Sequence, residues 1–173
     1  MTLQADNLAG TRLVTAASRL REVLLLGLIT LMMHGCSLSH MSWHMTDPIN
    51  KRSGVAVSGY DVVAYRRDGV ASKGKKEFFY RWMGAEWDFV SAKNRNQFSN
   101  NPTHYAPEYG GYCAYSASKG ITFYGDPKYW ILKDDRLFLF FNAYTRRKFK
   151  EGVADGIIGR ADTNWEKYYP KMP

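Results

Sequence analysis

The segment His104-Tyr105-Ala106-Pro107-Glu108-Tyr109-Gly110-Gly111-Tyr112-Cys113-Ala114 gathers most of the chemistry this sequence offers. Two adjacent glycines open backbone conformations closed to residues with a Cβ, and they can deliver Tyr112 and Cys113 onto the first turn of a helix. A thiol there sits near the positive partial charge of unpaired backbone N–H groups, which lowers its pKa and raises its thiolate fraction. Cys113 is therefore a candidate reactive thiol or soft metal ligand. The competing reading is that a free cysteine, one of the most buried residue types, simply fills space. His104, nine residues upstream, is the candidate base or co-ligand if the glycine turn swings its imidazole toward the thiol; otherwise it is a structural hydrogen bonder. Glu108, Tyr105, Tyr109 and Tyr112 either add polar contacts to the same pocket or serve as half-buried packing.

Stronger signatures are missing: the sequence has no Cys-x-x-Cys pair, no Gly-Lys-Ser/Thr phosphate loop, no His-Glu-x-x-His helix and no serine elbow. Asp61 and Asp126 stand alone and read as turn or cap residues. A binding module is the first expectation, and the sequence leaves open whether the chain is an enzyme.

The elements that must hold this segment follow from periodicity. Phe78, Tyr80 and Trp82 alternate with polar neighbours, Met83-Gly84-Ala85-Glu86 turns the chain, and Trp87 and Phe89 resume the alternation, as in a half-buried hairpin. Ser91 caps a helix expected to run to about Asn100. Asn101-Pro102 stops it, because proline disfavours helical geometry in the residue before it. A second hairpin is expected from Tyr129-Trp130-Ile131-Leu132 and residues 137–141 around Lys133-Asp134-Asp135-Arg136. Helical stretches follow at 143–152, with a basic face, at 153–158 and at 164–168, the last behind an Asp162 cap. The fold class is α+β: two antiparallel hairpins forming one small sheet with short helices packed on it.

Upstream, residues 23–33 (VLLLGLITLMM) are uninterruptedly apolar behind Arg12, Arg19 and Arg21. As a helix they rise only about 16 Å against the ~30 Å of a bilayer core, which suits a signal-peptide h-region better than a stable span. Met33-His34-Gly35-Cys36 then resembles a bacterial lipobox through Gly35 and Cys36, while Met33 and His34 depart from its usual residues. Lipidation of Cys36 is the first reading, ordinary cleavage and a short uncleaved anchor the alternatives. The domain plan is a leader at 1–35, a polar tether at 36–53 containing the solvated His40 and His44, and one folded domain at 54–173. The expected place is the periplasmic face of a bacterial membrane, lipid-anchored, or the soluble periplasm.

The chain carries 24 Lys and Arg against 16 Asp and Glu, for a net charge of +8, and only two cysteines. Two cysteines are too few for a disulfide framework, so packing must supply stability. Aromatic residues make up 15% of the chain, enough large side chains for a real core and too many for a disordered one. An exported protein meets no genome, so nucleic acid is excluded as a partner. Anionic lipid, cell-wall polymer or an envelope protein remain for any basic surface.

Four blocks now carry a family likeness: Gly59-Tyr60-Asp61-Val62-Val63-Ala64-Tyr65, Trp87-Asp88-Phe89-Val90-Ser91-Ala92-Lys93-Asn94-Arg95, Asn101-Pro102-Thr103 with the segment through Ala114, and Asp126-Pro127-Lys128-Tyr129-Trp130. In this order they resemble an exported branch of the YHS domain family. The resemblance implies a small α+β module of a kind for which metal binding is commonly proposed, some members of the branch having selenocysteine where this chain has Cys113. The Cys-Gly-Met motif and second cysteine of metal-associated members are absent. Leu139-Phe140-Phe141 precedes Asn142 where the branch usually ends its hairpin in a Leu-Asn-Tyr type sequence.

Three functions are thus expected to compete. The first is a metal- or cofactor-binding module with Gly110, Gly111, Tyr112 and Cys113 around the ligand, Cys113 and His104 holding a soft transition metal such as copper. The second is a thiol redox protein using Cys113 with an external partner thiol. The third is an envelope interaction module in which Cys113 only packs.

Overall fold

The structure, a computed structural model, describes residues 47–169, all within one compact unit. The leader, Cys36, His40 and His44 lie outside the described residues. The fold is α+β.

Residues 47–53, expected as tether, belong to the domain. Ile49 is fully buried in the core, and Lys51–Arg52 (β1) pairs antiparallel with Val55–Ala56 (β2). A single apolar residue among polar ones gives no periodicity, so this boundary was invisible in the sequence.

β2 in turn pairs parallel with Ala85–Phe89 (β4), which pairs antiparallel with Lys75–Trp82 (β3), completing a sheet of order β1-β2-β4-β3. The β3–β4 turn, Met83-Gly84, has φ of 51° and 68°, the left-handed pair whose twist suits a two-residue hairpin. The second hairpin joins Asp126–Lys133 (β5) to Arg136–Phe140 (β6) through Asp134-Asp135, with φ of 49° and 58°. It forms a separate two-stranded sheet, not part of one sheet as expected. Alternation of side chains reports which faces are apolar; it says nothing about which strand edges exchange backbone hydrogen bonds.

β6 is the partition of the molecule. Leu137 and Leu139 point into one buried cluster with Trp87, Phe89 and Phe98, whereas Phe138 and Phe140 point into another with Phe149 and Ile157. A strand buried on both faces reads as an unbroken apolar run, which is what Leu137-Phe138-Leu139-Phe140 is. The first cluster lies under Val62–Asp68 (α1) and Ala92–Asn100 (α2), the second against Ala114–Ala117 (α4), Ala143–Glu151 (α5) and Ile157–Glu166 (α6), with the single turn Pro102–Tyr105 (α3) between.

The helix starts follow their caps. Asp61 accepts from the Val63 and Ala64 N–H groups through Oδ1 at 2.9 and 3.3 Å, and through Oδ2 from Val90 N–H and the Asn94 amide at 2.8 and 2.7 Å. One buried carboxylate thereby ties α1 to α2 and to the end of β4, each charge-assisted bond stronger than a neutral one. Ser91 caps α2 and Asn142 caps α5 in a reciprocal box with Thr145. Asp162, expected to cap a last helix at 164–168, lies instead inside α6, which begins seven residues earlier than expected, after Gly156 in the left-handed conformation.

Asp88 on β4 is buried, and its Oδ1 has no hydrogen-bond partner among the described residues. Burial, and then Glu86, pushes its pKa up, against the pull of Lys73 and Lys76. A carboxyl whose folded pKa is raised contributes stability that is fully present below the unfolded value of about 3.9 and is lost as pH rises through the folded value. Asp88→Asn is therefore expected to raise Tm at pH 7 by roughly 3 °C and to flatten the gain in Tm on acidification from pH 7 to pH 4. Melting curves of both forms across that range check it; a lower Tm for the variant at pH 7 would mean that attraction to Lys73 outweighs burial.

Candidate functional site

The paired glycines do take the backbone where other residues rarely go. Tyr109, Gly110 and Gly111 have φ of 55°, 59° and 84°, three left-handed residues in succession. What occupies the space this opens is the chain's own N-terminal strap. Asn50 N–H donates to the Gly110 carbonyl at 2.8 Å, the Asn50 amide donates to the Gly111 and Gly125 carbonyls at 2.8 and 3.2 Å, and the Tyr112 hydroxyl donates to the Asp47 carbonyl at 3.0 Å. Gly110, Gly111 and Tyr112, expected around a cofactor, thus hold residues 47–50.

Cys113 stands at the N-cap position of α4, as expected of a thiol delivered to a helix start. The helix is a single turn of four residues, however, and the thiol accepts none of its N–H groups. Its backbone covers the outer edge of β6 through a parallel bridge to Leu139, and its N–H donates to the Phe123 carbonyl at 2.8 Å. Its side chain has 0% exposure, packed in the cluster of Phe138, Phe140 and Phe149. Of the two readings of Cys113, reactive thiol or space-filling side chain, this burial favours the second: the glycine turn directs Cys113 inward, against the aromatic face of β6.

His104 is held elsewhere. Its ring lies edge-on to Tyr105 at 4.7 Å, and its Nδ1 is 3.5 Å from an Asp135 carboxylate oxygen, at the surface. Asp135 is in the β5–β6 turn and Leu139, the neighbour of Cys113, is four residues along β6, roughly 13 Å away at about 3.3 Å per residue. A copper site made from Cys113 and His104 does not fit this arrangement: imidazole and thiol belong to opposite ends of the strand, and one of them is sealed in hydrocarbon. Among the described residues no group of three or more His, Cys, Asp or Glu side chains is placed to hold a metal ion.

The polar groups that do converge lie at the other end of the same motif. Arg136, the first residue of β6, grips Asp162 with both terminal nitrogens, at 3.1 and 2.6 Å, and Glu108 with one, at 2.8 Å. Two-point pairing of a planar guanidinium with a carboxylate fixes direction as well as distance. The two carboxylates hold Arg136 even further above the pH range in which it could lose its proton. The Tyr109 hydroxyl donates to Asp162 at 2.9 Å, and burial, then the Asp162 charge, pushes its pKa up, so it remains a donor. Tyr109 has a Cβ and pays for its left-handed conformation, about 1 to 2 kcal/mol, against this bond and ring contacts to Phe138 and Trp165.

These groups line a pocket of about 490 Å³. α6 supplies its wall: Asp162, Trp165 and Glu166 follow the spacing that puts residues three and four apart on one helical face. Trp165 stacks on Tyr169 with ring centres 4.2 Å apart and planes inclined by 28°. The Tyr169 hydroxyl is buried without a hydrogen-bond partner among the described residues. Of this set only Glu108 and Tyr109 stood out in the sequence. Arg136 read as a turn residue and Asp162 as a cap; placing the start of the last helix at Ile157 would have put the acidic and aromatic residues on one face. No protein-family model, curated protein or solved structure matches this chain, so the chemistry of the site rests on its geometry.

Proposed function

We propose that this chain is an exported, YHS-like binding module, anchored through Cys36 at the periplasmic face of a bacterial membrane, whose working site is the pocket over Arg136 and whose ligand is a small organic cation. The observation that carries the reading is a local reversal of charge. In a chain of net charge +8, Glu108, Asp162 and Glu166 converge on one cavity with, among the described residues, a single guanidinium between them. The stacked Trp165 and Tyr169 supply the aromatic faces on which an ammonium group is attracted by the ring quadrupole. Arg136 fixes Glu108 and Asp162 in place, leaving the exposed Glu166 to meet the incoming charge. Of the expectations raised by the sequence, ligand binding is retained and moved away from the thiol. The leader pattern, with its lipobox-like end, supports the address.

Tetramethylammonium is a minimal probe. With free probe at about ten times its Kd, the full chain is expected to melt roughly 4 °C higher than in equimolar sodium chloride. Glu166→Gln, an exposed change outside the Arg136 pairs, should reduce that shift by at least half. Equal melting of the wild type in the two salts would overturn the reading.

A further inference from the structure

A different face of the domain carries aromatic side chains outward. Phe123 and Phe141 are 45% and 46% exposed, and their rings meet edge to face at 4.7 Å. Tyr124, also exposed, adjoins Phe123 with ring centres 6.5 Å apart, and Ile121 projects from the same loop. Packing exposed aromatic rings against one another on a surface, with nothing over them among the described residues, is unusual for a face that meets only water. Cations surround them. The Arg52 guanidinium lies 5.3 Å from the Tyr124 ring centre, and Arg52 and Lys128 line a shallow pocket of about 280 Å³ with Tyr124 and Phe141. Among the described residues Asp126 is the one acidic residue lining that pocket, and its Oδ1 is engaged by the Lys128 backbone N–H at 2.9 Å. Shortly after Phe141, the first turn of α5 carries the exposed Tyr144 under Arg147, whose guanidinium is 5.5 Å from the ring centre.

We infer that this face rests on an anionic lipid surface. Aromatic rings ringed by Lys and Arg match the interfacial region of a bilayer, where rings enter the headgroup layer and cations meet lipid phosphates. The position of the chain entry points the same way. Asp47, where the described residues begin, is held by the Tyr112 hydroxyl, and the Tyr112 ring is 6.4 Å from that of Tyr124. The chain therefore enters the domain at the edge of the aromatic face. The apolar run at 23–33 and Cys36 precede Asp47 closely; the residues from Cys36 onward reach at most roughly 40 Å when fully extended. An attachment on so short a leash keeps this face at high effective concentration over the bilayer, so a weak surface suffices. The inference is independent of the cation pocket, which lies on other residues.

The test is hydrogen exchange of the full chain reconstituted in vesicles, which reads this face separately from the apolar leader. In vesicles with one quarter phosphatidylglycerol, amides of residues 120–128 and 140–147 are expected to exchange at least fivefold more slowly than in vesicles of phosphatidylcholine alone. The protection should fall by about fivefold for each of Arg52→Gln and Lys128→Gln, as loss of one interfacial cation implies, and should vanish in Phe123→Ser/Phe141→Ser while the protein stays with the vesicles. Equal exchange in the two kinds of vesicle would overturn the inference. So would protection that depends on protein concentration without lipid, since that result would assign the face to a second copy of the chain.

Discussion

In the folded protein Cys113 is expected to react with iodoacetamide roughly a thousandfold more slowly than in urea, because a side chain with no exposure reacts only when the surrounding cluster opens. Opening here means lifting α4 off β6, α5 and α6, which uncovers Phe138, Phe140 and Phe149 together, so the event is closer to global unfolding than to fraying. Peptide mass spectrometry scores Cys113 separately from Cys36. A rate within tenfold of a free thiol would restore the redox reading, since a sulfenic acid or mixed disulfide requires access to the sulfur. Substitution gives an independent check. Cys113→Ser buries a hydroxyl among rings and should cost about 2 kcal/mol, whereas a thiol that had been functional and accessible would accept serine with little loss of stability.

The contrast between Cys113 and Arg136 shows what was legible in the sequence. Local signals are legible: the strand alternation, the Ser91 and Asp61 caps, the stop at Pro102 and the special backbone at Gly110-Gly111 all depend on residues within a few positions of one another. The direction in which Cys113 points depends on β6, more than twenty residues away, whose Phe138 and Phe140 form the wall it faces. The pairing of Arg136 with Glu108 and Asp162 joins three elements remote in sequence, and no spacing rule connects them. The motif at 104–114 is unusual in its residues, and these serve two separate ends. Glu108 and Tyr109 face a pocket, and the glycines receive the chain's own strap.

Replacing one of those glycines should have the largest effect on stability. An alanine Cβ at Gly110 would lie 1.8 Å from the Pro48 carbonyl oxygen and 2.9 Å from its carbon, contacts with backbone that no rotamer change can relieve. Gly110→Ala must therefore lift the strap, which breaks the Asn50 N–H bond to Gly110 and withdraws Ile49 from the core. Exposing a buried isoleucine costs about 2 kcal/mol, the lost hydrogen bonds about 1 kcal/mol, and the left-handed backbone at least 1 kcal/mol more for alanine. The expected loss of about 4 kcal/mol lowers Tm by more than 10 °C. Gly69 provides the control: its φ of 69° imposes the same backbone strain, but no described residue lies within 4 Å of its Cβ position. Gly69→Ala should cost about 1 kcal/mol, and the difference between the two variants isolates the clash with Pro48. Limited proteolysis adds a local readout, since a lifted strap exposes residues 47–53 to cleavage while the rest of the domain resists. Equal destabilisation by the two substitutions would show that the strap does not depend on the bare backbone at Gly110.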